Sequence, residues 1–288
     1  MLFLFKYIII IFFGFTYSTF SIVAVDLSNG QVGSAGASCI GGSIIISDIH
    51  PGVGAIHTQS YWSGYNQIMA SNLMDSGLSP DEIIAYLIEN DVNNNPSIRQ
   101  YGIVDIYEGG RSAAYTGENC MDYKNHILGS NYAIQGNILL NEQVLMSIEN
   151  NFNSSFGTLS DKLMAALQGA NIPGADSRCL DNGTSSLSAF IRVAEPFDEA
   201  NDFFLDLNIN NTNNGQEPID LLQNLYNEWL NEQDPLGDIS GDGILNISDL
   251  IIMIDFILEG IFDENGDMNF DGGLNIQDIT ILLNIILN

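Results

Sequence analysis

Apolar and polar residues alternate with two different periods along the chain, and the two periods occupy separate blocks. Residues 19–26 (TFSIVAVD) alternate with period two and are rich in β-branched side chains, which predicts a strand. Residues 31–38 (QVGSAGAS) predict a second strand whose small side chains let another layer pack closely. Helical periodicity follows in 67–75, and the capping-box sequence SPDE at 79–82 predicts the start of another helix.

The later segments repeat this block arrangement. Further strands are expected at 44–49, 55–59, 98–106, 111–116, 132–138, 187–193 and 203–209, and further helices at 142–152, 159–168 and 218–230. The order of strands, helices, strands, helices and strands is typical of a layered α+β domain. The sequence DPLG at 234–237 interrupts the pattern, so we expect a first domain at 19–233 and a second at 237–288.

Charge changes the expected partners. The 288 residues include 36 acidic and 7 basic side chains, for a formal net charge of -29, and 45% of the residues are hydrophobic. Such a surface repels phosphate backbones and anionic lipid, so neither nucleic acid nor a membrane surface is an expected partner. Cations are favoured instead, while the hydrophobic content suffices for a packed core.

The first residues have the pattern of a signal peptide. One positive charge in Met1 to Lys6 precedes an apolar run from Tyr7 to Phe15, and small residues at Thr16 and Ser18 suit a signal peptidase. The run is shorter than the roughly 20 residues of a spanning helix. We therefore expect residues 1–18 to be removed by cleavage after Ser18. A secreted, extracellular or cell-surface protein without stable membrane insertion follows, with periplasmic transit left open. A retained membrane anchor is the alternative.

Export would place three cysteines, Cys39, Cys120 and Cys179, where one disulfide can form, and the sequence leaves its pairing open. The three histidines, His50, His57 and His126, lack the spacing of a zinc site, so we interpret them as structural or local site residues. One of them, His126, lies four residues after Asp122, which would allow the two to pair on a helix.

Two C-terminal segments, 238–249 and 267–278, share the spacing of a calcium-binding loop. Oxygen-bearing side chains occupy positions 1, 3, 5, 9 and 12, glycine occupies position 6, and position 7 contributes its carbonyl. The predicted ligands of two Ca²⁺ ions are Asp238, Ser240, Asp242, Ile244, Asn246 and Asp249, and then Asp267, Asn269, Asp271, Gly273, Asn275 and Asp278. Aspartate stands at position 12, where a longer glutamate is usual. Apolar helices at 250–258 and 279–287 are expected to pack together.

This tandem of half EF-hands resembles a type I dockerin over nearly its whole length. The resemblance implies a small all-α, calcium-dependent module that docks onto a cohesin-like scaffold protein. In dockerins the contact with the partner clusters at loop positions 10 and 11 and the following helix. Those positions are Ile247, Ser248, Ile276 and Gln277 here. The isoleucines differ from the small polar residues common in cellulosomal dockerins, so the cohesin class stays open.

The predicted cleavage also has a chemical consequence at Thr19. A chain that begins with Thr19 carries a hydroxyl beside a free α-amine, whose ordinary pKa of about 7.7–8.0 suits a general base. Acyl transfer further needs a donor for the developing oxyanion, and Asn137, beside a glycine at a strand end, is the first candidate. Thr58, Gln59 and Ser38 are weaker candidates. Thr19 could equally be a β-branched residue that merely begins a strand.

Seven further stretches carry a second resemblance: 19–26, 34–38, 51–62, 98–105, 115–126, 132–140 and 174–179. They resemble an uncharacterised family, known only as a domain of unknown function, that is grouped with the Ntn-hydrolase-like αββα folds. The similarity spans roughly Thr19 to Trp229. It implies a four-layer αββα sandwich and suggests amide-bond hydrolysis, with no substrate specified. Many Ntn hydrolases place a basic residue near the nucleophile, so Arg99 or Arg111 would have to be brought in by the fold.

Two functions remain open at this point. The first is a secreted N-terminal-nucleophile hydrolase of amide bonds, anchored to a larger assembly through the dockerin. The second is a non-catalytic binding domain that the dockerin displays on polysaccharide-degrading, cellulosome-like machinery. Glycan hydrolysis would follow only from that association, since no carboxylate pair stands out before the dockerin.

Overall fold

A computed structural model describes residues 19–200, 202–213, 215–232, 235–241 and 244–287. The expected signal peptide and the predicted calcium ligand Asp242 lie outside these ranges. The backbone forms two compact units that divide between Leu222 and Gln223. In the part of the chain that is described, no helix is long and apolar enough to cross a membrane.

The first unit contains two antiparallel sheets. Its strands are β1 (Thr19–Asp26), β2 (Gln31–Ser38), β3 (Ser47–His50), β4 (Gly54–Ser60), β5 (Arg99–Asp105), β6 (Arg111–Thr116), β7 (Asn125–Leu128), β8 (Tyr132–Asn137), β9 (Ser188–Ala194) and β10 (Leu205–Ile209). One sheet has six strands in the order β10-β9-β2-β1-β8-β7, and the other has four in the order β3-β4-β5-β6. Strand β1 therefore lies in the middle of the larger sheet.

Helices cover the outer faces of both sheets. They are α1 (Gly64–Asp75), α2 (Pro80–Glu89), α3 (Gln143–Ser154) and α4 (Leu159–Gly169), followed by α5 (Pro218–Glu232). Helices α1 and α2 pack through Met74 and Ile83 onto Ile56 and Tyr101 of the smaller sheet. Helices α3 and α4 cover the larger sheet. The two sheets pack face to face through a shared core of side chains from both, including Val23, Val104 and Ala133.

The domain is thus a four-layer αββα sandwich, the architecture that the resemblance implied. The small side chains of β2 have the expected cause. A Cβ atom on Gly33 would lie 2.4 Å from Cδ1 of Leu163 on α4, so the helix packs directly on the strand backbone.

Two local expectations are wrong. Residues 44–46, predicted as part of a strand, belong to a 3₁₀ turn (Ser43–Ile46), and only the residues after it pair as β3. Asp122 and His126 do not share a helix. Asp122 forms an ion pair with Lys124 at 3.0 Å, whereas His126 lies on strand β7 and contacts the hydroxyl of Thr116 at 2.9 Å.

A disulfide joins Cys39 to Cys179, with their Cα atoms 5.6 Å apart. Cys120 is left as a buried free thiol whose Sγ–H donates to the carbonyl of Arg99 at 3.2 Å. Burial raises the pKa of the Cys120 thiol, because the charged thiolate is poorly solvated in that position.

The second unit holds helices α6 (Ile247–Glu259) and α7 (Ile276–Leu287). They pack together as expected, with Leu250, Met253 and Leu282 at the centre of a small core. Both begin three residues earlier than the hydrophobic pattern indicated. The side chain of Asn246 caps α6 by accepting from the backbone N–H of Ser248 at 2.7 Å.

Candidate functional site

Thr19 is the first residue of β1 and is fully buried. In the sheet register it pairs with Asn137 on β8, while the next residue, Phe20, pairs with Ala37 on β2. Successive side chains on a strand point to opposite faces, and Ser21 reaches the smaller sheet, so Thr19 also faces the layer between the sheets. The fold therefore brings the two predicted catalytic residues side by side.

Two glutamines of the smaller sheet hold this pair. Nε2 of Gln59 donates to the carbonyl of Thr19 at 3.2 Å and to Oε1 of Gln100 at 2.8 Å. Nδ2 of Asn137 donates to the same Gln100 oxygen at 3.0 Å. Because Gln59 uses both of its amide hydrogens here, it positions the strand and has none left for an oxyanion.

Backbone carbonyls fix the orientation of these amides. Nε2 of Gln100 lies 2.9 Å from the carbonyl of Gly136 and 3.1 Å from that of Asn125. A carbonyl can only accept, so the nitrogen of Gln100 must face these groups and its oxygen must face Asn137 and Gln59. The same argument, applied to the carbonyl of Thr19, fixes the amide of Gln59.

The hydrogen bonds continue from Gln59 toward His57 in one direction. Ser21 donates its only hydroxyl proton to Oε1 of Gln59 at 2.7 Å. Ser21 can therefore only accept from Gln135, so the atom of Gln135 that faces it, also at 2.7 Å, must be the donor Nε2. The second hydrogen of that nitrogen points to Nδ1 of His57 at 3.0 Å. His57 Nδ1 is therefore an acceptor, and its proton resides on Nε2.

The remaining contacts follow from this tautomer. Nε2–H of His57 donates to Oγ of Ser34 at 2.6 Å, and Ser34 donates to Oγ of Ser47 at 2.8 Å. We call this set the inter-sheet network. Its members are Ser21, Ser34, Ser47, His57, Gln59, Gln100, Gln135 and Asn137.

A buried serine beside a histidine suggests a nucleophile and its base, but Ser34 and His57 cannot act in that way. Burial, followed by the charge of Arg192, lowers the pKa of His57 to about 3, so the ring is neutral. Its only ring proton already points at Ser34. His57 therefore has no lone pair directed at the serine with which to remove a proton.

The network contains one unsatisfied atom among the described residues. Oε1 of Gln135 is buried and has no hydrogen-bond partner. Gly102 on β5 makes room for it, since a Cβ atom at that position would lie 1.8 Å from this oxygen. Only glycine fits opposite Gln135.

The basic residue found at this end of the larger sheet is not one of the two proposed above. Arg99 binds Asp91 through Nε at 2.7 Å on the face of β5 away from Gln100, and Arg111 binds Asp105 at 2.6 Å at the far end of that strand. Arg178 instead approaches this end of the larger sheet, with Nη2 2.8 Å from Asp176 and 3.5 Å from Oγ of Ser38. No sequence spacing pointed to it.

The disulfide holds Asp176 and Arg178 at this position. Buried Asp176 accepts from the backbone N–H of Cys39 at 2.7 Å, and its own backbone bridges to Leu139, two residues past β8. Cys39 directly follows β2 and is bonded to Cys179, the residue after Arg178. The covalent link thus fastens this loop to the same end of the sheet as Thr19.

The first C-terminal loop is folded around two buried carboxylates. Asp238 accepts from the backbone N–H of Gly241 at 2.9 Å and from the Ser240 hydroxyl at 3.0 Å. Asp249 accepts from the N–H of Ser240 at 3.0 Å and that of Asn246 at 2.8 Å. Burial opposes its charged form, but these hydrogen bonds outweigh it and hold the pKa of Asp249 below its usual range.

The second loop repeats this arrangement, but one of its buried carboxylate oxygens accepts no hydrogen bond from a described residue. Oδ2 of Asp278 accepts from the N–H of Asn275 at 2.8 Å. Oδ1 of the same carboxylate is buried without a hydrogen-bond partner among the described residues. Asp267, at position 1, accepts from the N–H of Gly272 at 2.8 Å. A buried carboxylate oxygen that lacks a donor is what a hard cation would satisfy, so the residues fit calcium.

The residues at position 7 of the two loops, Ile244 and Gly273, are close in sequence to these carboxylates. The carbonyl of Ile244 accepts from Nδ2 of Asn246 at 2.9 Å, and that of Gly273 accepts from Nδ2 of Asn275 at 3.2 Å. No group of three His, Cys, Asp or Glu side chains in the described ranges is placed to hold a metal. The predicted donor set is mixed, with amide, hydroxyl and carbonyl oxygens beside the aspartates.

A family model for the family of unknown function DUF1028 matches residues 19–221. The chain belongs to this family. A model of the type I dockerin domain matches residues 236–287. Type I dockerins bind calcium and dock onto cohesins in extracellular assemblies of the cellulosome type.

Two solved structures match this chain. The crystal structure of the DUF1028 protein SPO2555 from Silicibacter pomeroyi matches with a TM-score of 0.60 and 23% identity, over 73% of this chain and 88% of that one. The Anbu (ancestral beta-subunit) protein from Yersinia bercovieri matches with a TM-score of 0.35 and 12% identity, over 73% of this chain and 93% of that one. A search of the curated proteins gives no match.

In the dockerin, the residues predicted to contact a partner are accessible. Ile247 and Ile276 are 65% and 68% exposed, and Ser248 and Gln277 beside them are also exposed. Each pair occupies the start of its helix, in equivalent positions of α6 and α7. Exposed isoleucines at helix starts are consistent with a binding surface.

Proposed function

We propose that this DUF1028 protein is a secreted N-terminal threonine hydrolase of amide bonds, held in a larger extracellular assembly by its dockerin. The observation that carries the proposal is the position of Thr19. It begins the central strand of an Ntn-hydrolase-like sandwich, pairs with Asn137, and is the residue that cleavage after Ser18 would expose.

The proposed reaction uses groups of this chain alone. The free α-amine of Thr19 accepts the hydroxyl proton as Oγ1 attacks the carbonyl carbon of the amide. The developing oxyanion takes a hydrogen bond from Nδ2 of Asn137. The protonated amine then delivers its proton to the leaving nitrogen, and an ester to Thr19 remains. Water hydrolyses this ester and releases the acid.

The surrounding residues have positioning roles in this proposal. Gln59 holds the Thr19 carbonyl, and Gln100 holds both Gln59 and Asn137, so the nucleophile and the oxyanion donor are supported from one side chain. His57 is neutral and takes no proton. A rigid support of this kind keeps the reacting groups near the required geometry.

The dockerin part of the proposal assigns one Ca²⁺ ion to each loop. When bound, each ion would supply positive charge that draws the loop oxygens together and so stabilises the module. Asp249 and Asp278, both fully buried at the first turns of α6 and α7, would tie each ion to the start of a helix. The cohesin-like partner would contact Ile247, Ser248, Ile276 and Gln277.

The proposal is tested on exported protein. Its N-terminal sequence is expected to begin at Thr19, and a panel of peptide and aminoacyl amides is then assayed with wild type, Thr19→Ala and Thr19→Ser. The serine variant retains a hydroxyl beside the amine and is expected to keep part of the activity, whereas the alanine variant loses it. A chain that begins elsewhere, or equal turnover in Thr19→Ala, would favour the non-catalytic binding domain displayed by the dockerin.

A further inference from the structure

A cleft lies in the first unit, and neither Thr19 nor Asn137 lines it. It has a volume of about 420 Å³, and its walls come from β3, helix α1, strand β9 and the segment before β10. The polar residues that matter here are Ser47, Asp48, His50, Asp75 and Arg192, and the ring of Phe203 also lines the cleft. Its volume suits a molecule of a few to about fifteen heavy atoms rather than a polymer.

One end of the cleft presents a hydrogen-bond donor. Ser47 is only 8% exposed and accepts from Ser34, the last step of the inter-sheet network. The direction of that network is set by the backbone carbonyls that face Gln59 and Gln100. The hydroxyl proton of Ser47 is therefore not used by Ser34, and no described residue accepts it. The proton remains for an acceptor in the cleft.

A second donor lies at the same end, on Arg192, whose charge is paired with that of Asp206. Arg192 pairs in register with Ser34, the serine that donates to Ser47, so its strand position adjoins the donor end. Its Nη2 binds Asp206 at 2.8 Å and its guanidinium lies 4.8 Å from the ring centre of Phe203. Its buried Nε–H has no partner in the described part of the chain.

The other end of the cleft is acidic. His50 lies between Asp75, 2.6 Å from Nδ1, and Asp48, 3.6 Å from Nε2. Burial opposes the charged imidazole, but hydrogen bonds and charges of Asp48 and Asp75 outweigh it and raise the pKa of His50. Even with His50 protonated, two carboxylates face one cation, so this end keeps a net negative charge.

We propose that the cleft binds a small zwitterion of the amino-acid class, with its carboxylate at Ser47 and Arg192 and its ammonium at Asp48 and Asp75. One end offers hydrogen-bond donors and the other offers carboxylates, and a ligand with a single charge cannot satisfy both. The inference does not depend on hydrolysis by Thr19, because no step of that reaction uses these residues.

The test is calorimetric titration of the full-length protein with L-alanine and glycylglycine. N-acetyl-L-alanine, which lacks the ammonium, and L-alaninamide, which lacks the carboxylate, are the matched probes. We expect at least one zwitterion to bind, and each single-charge analogue to bind about tenfold more weakly or worse. Failure of both zwitterions to bind at about 10 mM, or equal binding of all four probes, overturns the proposal.

Variants separate the two ends. Ser47→Ala is expected to weaken zwitterion binding about tenfold, and Asp75→Asn, at a carboxylate that is 62% exposed, tests the acidic end without disturbing the core. Asp81→Asn, on an exposed position of α2, is the control and should leave binding unchanged. Unchanged binding in both cleft variants would place the ligand elsewhere and contradict the assignment.

Discussion

Oγ of Ser21 lies 2.7 Å from Oε1 of Gln59 and donates its only proton to it. This contact joins the strand that begins with Thr19 to the opposite sheet. It also sets the direction of every later hydrogen bond in the inter-sheet network, because Ser21 can then only accept from Gln135. A single hydroxyl thereby determines the tautomer of His57, two residues along β4 from Gln59.

Gly102→Ala is expected to destabilise the protein by about 1–3 kcal/mol, because the new methyl group would overlap Oε1 of Gln135. Chemical denaturation would measure the loss. The informative control is the double variant with Gln135→Ala, in which the overlapping atom is gone. If the second substitution gives no relief, so that the two losses simply add, the overlap is not the cause.

Acid is expected to destabilise the protein partly through His57. Its pKa in the folded protein is about 3, below the ordinary 6.5, so the folded state favours the neutral ring. The resulting stability is present above pH 6.5 and is lost as the pH falls toward 3, with a loss of about 2 kcal/mol at pH 5.

His57→Gln removes that titration while retaining an amide to hydrogen-bond with the network. The free energy of unfolding should therefore fall less steeply between pH 6.5 and 4 in the variant than in wild type. Carboxylates titrate in both proteins and cancel in the comparison. Parallel stability curves would show that His57 binds its proton equally well in the folded and unfolded states, contrary to the neutral ring inferred here.

Removal of calcium is expected to unfold the C-terminal unit, since buried Asp238, Asp249, Asp267 and Asp278 would lose their counter-ion. Circular dichroism in excess chelator should show loss of helix that added Ca²⁺ restores. Asp278→Ala should reduce the number of bound ions from two to one. The exposed Asp255 on α6 is the matched position, and Asp255→Ala should still bind two.

Thiol counting checks the cysteine assignment. The native protein should show no reactive thiol, because Cys120 is 3% exposed and the other two cysteines are bonded. Denaturation without reductant should expose one thiol, and reduction should expose three. Reduction should also cost about 3–5 kcal/mol of stability, since the bond closes a long loop. A second reactive thiol before reduction would contradict the Cys39–Cys179 pairing.

Much of the fold followed from local patterns. The capping-box sequence at 79–82 correctly predicted α2, with Ser79 accepting from the N–H of Glu82. The alternating residues of 19–26 correctly predicted β1. The strand predicted at 44–46 was wrong. Three consecutive isoleucines by themselves favour a strand, but Gly42 adopts the left-handed conformation and begins a 3₁₀ turn there.

Only part of the candidate site could be predicted from the sequence. Thr19 could be named from the predicted cleavage, and Asn137 from its place beside a glycine. Gln59, Gln100 and Gln135 lie on three different strands. The sequence around a polar residue in a strand does not indicate which residue of another strand it will contact. Their roles depend on sheet register, which pairs Gln59 with Gln100 and Thr19 with Asn137.

The fixed direction of the hydrogen bonds in the inter-sheet network constrains which substitutions this domain can accept during evolution. No member can reverse its hydrogen bonds alone, because its neighbours would then present two acceptors or two donors to each other. The carbonyls of Thr19, Gly136 and Asn125 also prevent a reversal of the whole set. Substitutions at Ser21, Gln59, His57 or Gln135 should therefore be tolerated in compensating combinations rather than singly, so that these positions are inherited as a block.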